Sequence, residues 1–83
     1  MSHETRQNFE QERRNFLFQT YAHAAGNPEK PISWLKLGQE IGLDSNTSSM
    51  CLKFLLQHGL VEYTDDKDYV RLTDKGVTYV ETA

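Results

Sequence analysis

Five side chains between positions 46 and 53, Asn46, Thr47, Ser49, Met50 and Lys53, carry the chemistry best suited to reading the edge of another polymer. An asparagine can pair with two edge atoms of adenine. The Thr47 methyl group or Met50 can touch a thymine methyl, and Ser49 and Lys53 can reach bases or phosphates. The same residue types near the start of a helix also serve as caps and solvated surface. Their meaning therefore depends on the element that carries them.

Other chemistries find little to work with. The three histidines, His3, His23 and His58, are scattered, and with one cysteine they supply no metal-ligand spacing. There is no Gly-rich phosphate loop, nucleophile elbow or HExxH motif, and the carboxylates of Asp65-Asp66-Lys67-Asp68 form a run suited to solvation. Neither an enzyme nor a bound cofactor is expected. Cys51 reads as a small core residue, because a reactive thiol needs exposure and electropositive neighbours. Tyr63 and Tyr69 could stack on bases, but tyrosines in a hairpin are more often cross-strand packing partners, and that reading comes first.

The elements that must position these residues follow from periodicity. From about Thr5 to Ala25 the chain lacks proline and glycine and spaces Phe9, Phe16, Leu17, Tyr21 and Ala24 helically, which predicts one long first helix. Its first part, residues 1–15, is expected to project or fray. Gly26-Asn27-Pro28 stops it. Ile32 predicts a strand of one or two residues, and Ser33 caps a second helix from about Trp34 to Ile41 with Trp34, Leu37 and Ile41 inward. After Gly42, Asp44 or Ser45 caps a third helix extending to about His58. It buries Ser48, Leu52 and Leu55, with Cys51 beside them, and leaves the five side chains above outward. The period then changes to alternation, predicting strands at about 60–64 and 69–73 around a loop from Asp65 to Asp68. Opposing Val61 to Leu72 and Tyr63 to Val70 puts those four on the core and sets Glu62 against Arg71 outside. Thr73 caps a last short helix carrying Val77 and Val80.

Eighty-three residues suit one small domain, with 37% hydrophobic and 25% charged residues typical of a globular chain. The lone cysteine and the lack of an apolar run near the ~20 residues of a membrane span lead us to expect a cytoplasmic protein without membrane association. The net charge of -3 runs against the usual footprint of a nucleic-acid binder.

The order from Ile32 to Gly76, with two helices around Gly42-Leu43-Asp44, then Gly59-Leu60-Val61, a hairpin and Leu72-Thr73-Asp74-Lys75-Gly76, resembles that of prokaryotic and archaeal winged helix-turn-helix transcription regulators. The resemblance covers about Phe16 to Val80. It implies a mainly α, α+β architecture over 1–83: a three-helix core, a small antiparallel sheet with one wing, and a short C-terminal helix. It further implies sequence-specific binding of double-stranded DNA, with Asn46, Thr47, Ser49, Met50 and Lys53 in the major groove and Lys36 and Lys67 as further contacts. Arg6, Arg13 and Arg14 could touch the backbone if the fold brings them to the same side. The alternative is a winged helix that docks a protein through Met50 and Phe54 or through the acidic wing. Homodimerisation through helix one and Phe9 is a further expectation, since regulators of this class often bind paired half-sites.

Overall fold

The computed structural model describes residues 2–83, with side chains described from Glu10 onward. Phe9, the residue expected to mediate dimerisation, lies outside the described side chains, as do Arg6 and His3. Four helices and a three-stranded antiparallel sheet alternate along the chain: α1 (Ser2–Ala24), β1 (Ile32–Ser33), α2 (Trp34–Glu40), α3 (Ser45–Gln57), β2 (Val61–Tyr63), β3 (Tyr69–Leu72) and α4 (Asp74–Thr82).

Each helix boundary has a local cause. Ser33, Asp44 and Thr73 are extended N-cap residues whose side chains accept from the backbone N–H of Lys36, Thr47 and Gly76, respectively. The Asp44 carboxylate takes its hydrogen bond at 2.7 Å, which holds its pKa below the usual value. That contribution is present above the ordinary carboxylate pKa of about 4 and is lost as pH falls through the lowered one. Helices α2 and α3 end alike. Leu43 N–H donates to Gly38 O and Gly42 N–H to Gln39 O, and likewise Leu60 N–H to Leu55 O and Gly59 N–H to Leu56 O. In each pair the residue at the turn is a glycine with positive φ, +82° at Gly42 and +69° at Gly59. At the end of α1 the left-handed turn begins one residue before Gly26, at Ala25 (φ 51°).

The sheet order is β1-β3-β2, so the hairpin gains a third strand that pairs Ile32 with Val70 and Ser33 with Tyr69. The hairpin register is Val61 to Leu72, Glu62 to Arg71 and Tyr63 to Val70, and Arg71 Nε reaches Glu62 Oε2 at 2.9 Å on the outer face. One of the four residues expected on the core is not there. Tyr63, the last residue of the edge strand β2, is 39% exposed.

A single apolar cluster joins the layers: Phe16 and Leu17 from α1, Leu37 from α2, Cys51, Leu52 and Leu55 from α3, and Val70 and Leu72 from β3. Phe18, Tyr21, Val77 and Val80 pack around it, and the Tyr21 hydroxyl donates to Glu81 on α4 at 2.9 Å. Of the residues expected to project or fray, those with described side chains, 10–15, are exposed except at two positions. Glu12 and Arg13 are already half-buried, because α1 packs along α3 from that point. Among the described residues no helix is long and apolar enough to cross a membrane.

Candidate nucleic-acid interface

Helix α3 has two faces of opposite character. Ser48, Cys51, Leu52 and Leu55 are buried. On the other side Asn46, Ser49, Met50 and Lys53 fall at i, i+3, i+4 and i+7, a single stripe. Asn46, Met50 and Lys53 are exposed, Met50 by 49%, whereas Ser49 is half-buried at the stripe's edge. Thr47 is half-buried as well, and its N–H is held by the Asp44 cap. Exposed Gln57 continues the stripe one turn beyond Lys53, a position that the same i+4 spacing marks in the sequence. Lys53 is the only formally charged residue in α3, so this 13-residue helix carries no carboxylate in a chain of net charge -3.

Helix α2 fixes the angle of α3. Gly38 lies against Ser48, where a β-carbon on the glycine would stand 2.8 Å from Ser48 Cβ and closer still to its hydroxyl. Backbone-close packing of this kind sets a helix crossing firmly, since neither side has a flexible chain to give way. The Ser48 hydroxyl is buried without a hydrogen-bond partner.

The two further lysines, Lys36 and Lys67, are carried by α2 and by the loop between β2 and β3. Lys36 is two residues, or about 200° of helix, from Gly38, so it points away from α3. It lines a cleft of about 160 Å³ with His23, Lys30 and Glu40, where His23 Nε2 and Glu40 Oε1 stand 3.0 Å apart. Lys67 sits in the loop between β2 and β3, and its backbone carbonyl accepts from Trp34 Nε1 at 2.9 Å. That bond ties the loop to the start of α2. Within the loop, Asp66 Oδ1 accepts from Asp68 N–H at 2.9 Å and Asp66 O from Tyr69 N–H at 3.0 Å. Its carboxylates are thus partly committed to the turn.

The apolar pair considered for docking is not continuous. Phe54 is half-buried, with the Arg13 guanidinium 3.8 Å above its ring and the His58 ring 4.2 Å away at 39°. Only Met50 of the pair is open. Arg13 is 41 positions from Phe54, and no local spacing in the sequence announces their contact.

Cys51 lies on the buried face, and burial pushes its thiol up to about 11, with Glu12 adding repulsion and Arg13 opposing it. The thiol is protonated at neutral pH and shielded from solvent. A thiol-alkylating reagent at mildly alkaline pH should label the denatured chain fully and the native chain only at the rate of unfolding. Rapid stoichiometric labelling of native protein would refute this. Among the described residues no group of three His, Cys, Asp or Glu side chains could hold a metal ion. Compared with known proteins, the chain matches no family model, no curated protein and no solved structure.

Proposed function

We propose that this chain is a winged helix-turn-helix DNA-binding protein that lays α3 in the major groove and serves in transcriptional regulation. The observation that carries the reading is the carboxylate-free outer stripe of α3, with Asn46, Ser49, Met50 and Lys53 on one line of a helix braced by α2. A groove floor offers hydrogen-bond donors, acceptors and thymine methyl groups, and these residue types match all three. The element order supports the same reading: two helices about a glycine turn, then a hairpin that acts as the wing beside the recognition helix. The net negative charge opposes binding at long range, and the outer stripe of α3 offsets it locally, since it carries Lys53 and its nearest carboxylate, Asp44, is engaged by the N-cap hydrogen bond.

The test is selection from a random duplex library at low salt, followed by titration of the enriched sequence. Asn46→Ala should relax preference at one base pair, costing about 1–3 kcal/mol against the preferred base. Lys53→Ala should weaken all sequences alike and flatten the salt dependence by about one unit. If no sequence is enriched and wild-type affinity does not change with salt, the reading fails. A protein-docking surface built on Met50 and Phe54 fits less well, because Arg13 and His58 cover the phenylalanine.

A further inference from the structure

Met50 stands in the middle of the outward stripe of α3, four residues after Asn46 and three before Lys53, and is 49% exposed. Its sulfur differs sharply from its neighbour's. Cys51, the next residue, is fully buried, and a thiol meets oxidants as the thiolate, which burial suppresses here. A thioether has no proton to lose, so access governs its oxidation. Adjacent positions on α3 thus present one protected sulfur and one open sulfur, and the open one lies on the face given to the groove. We propose that Met50 is an oxidation site through which a peroxide releases the protein from DNA. This rests on the DNA-binding reading above and adds a means of regulating the same face.

The reaction needs only the peroxide. A lone pair of the Met50 sulfur attacks one oxygen of hydrogen peroxide, the O–O bond breaks as the S–O bond forms, and the peroxide is reduced to water while the sulfide becomes a sulfoxide. An apolar surface turns into a strong hydrogen-bond acceptor. The contact offered to a thymine methyl is weakened, and the new oxygen faces a groove floor rich in acceptors of its own. Helix neighbours at i−4 and i+3 have β-carbons about 5–6 Å away, so the sulfoxide can also accept from the Asn46 amide or the Lys53 ammonium and draw either donor off the DNA. The fold is indifferent to the change, because Met50 takes no part in the apolar cluster that joins the layers.

The experiment treats the full chain with hydrogen peroxide and follows, over one time course, the oxygen added at each methionine and at Cys51 by peptide mass spectrometry, the affinity for the duplex enriched by selection, and the melting midpoint. Affinity should fall at least about fivefold, the low end for losing one base contact, in step with oxygen at Met50. The midpoint should hold, Cys51 should remain a thiol, and methionine sulfoxide reductases of both stereospecificities should restore binding. Met50→Leu, compared with itself before and after treatment, should not respond, although it retains Met1, the other methionine of the chain. The proposal is overturned, and the DNA reading left standing, by any of four results: Met50 stays reduced while Met1 is oxidised, oxidised Met50 binds as before, the loss comes with a falling midpoint, or Met50→Leu loses affinity equally. A wild type that selects no duplex and shows no salt-dependent binding overturns both.

Discussion

Gly76→Ala should be among the most damaging single-methyl changes in this protein, although alanine is the better helix former by about 1 kcal/mol. Gly76 lies in the first turn of α4, buried, with its N–H donating to the Thr73 cap at 3.0 Å. A β-carbon there would overlap the Leu60 carbonyl oxygen and stand 3.0 Å from the Leu60 carbonyl carbon and 3.2 Å from Leu72 Cδ2. The Leu60 carbonyl cannot retreat, because it accepts from Thr73 N–H at 3.2 Å and so closes the β2–β3 ladder. Relief requires moving α4 off the sheet or breaking that bond. A loss at or above the upper end of the ~1–3 kcal/mol usual for overpacking is expected. In a domain of this size that lowers Tm by roughly 12 °C or more. Thr78→Ala, on the exposed side of the same helix, should stay within about 0.5 kcal/mol of wild type. An unchanged or raised melting midpoint for Gly76→Ala would refute the close approach.

Gly38→Ala tests the seat of α3 on α2 in the same way, with a built-in rescue. The added methyl would meet Ser48 Cβ and the Ser48 hydroxyl, with Phe16 Cε2 3.7 Å away on the remaining side. Destabilisation of about 2–3 kcal/mol is expected, together with a change in the tilt of α3. Ser48→Ala alone should be neutral or stabilising by up to about 1 kcal/mol, since it removes a buried hydroxyl that has no partner. Combining Gly38→Ala with Ser48→Gly adds a β-carbon on α2 while removing the Ser48 side chain that it would meet on α3, and should recover part of the loss. A double-mutant cycle would report favourable coupling for the combined change. Strict additivity would mean that the two residues do not share the space assigned to them.

The elements were readable because their signals are local. Caps at Ser33, Asp44 and Thr73 announce themselves by residue type, and alternation about the 65–68 loop fixes the register of β2 against β3. The buried face of α3 follows from its spacing alone. What escaped the sequence depends on distant partners. Tyr63 obeys the alternation and is still left open, because a period says which way a side chain points and not whether anything stands there. Glycines 38 and 76 carried a readable sign, since a glycine inside a helical pattern often marks a close approach, but the approaching residue was not named by it. The outward set on α3 was legible, while Lys36, joined to it on charge, lines a cleft with His23 and Glu40. Arg13 had the opposite fate: only the packing of α1 on α3 brings it to Phe54.

The strand order has a consequence for how the chain assembles. The central strand, β3, is the last to be synthesised, and its neighbours β1 and β2 do not pair with each other. Residue 32 must wait for residue 70 before its backbone finds a partner, so the sheet closes across a segment that contains both α2 and α3. Helices and the short-range hairpin can form quickly, whereas this closure carries the entropy of a long loop. On the ribosome, a nascent chain ending before Tyr69 holds two strands with open edges and no middle. Emergence of the segment from Tyr69 onward therefore completes the sheet, supplying β3 and then the helix α4 that packs on it.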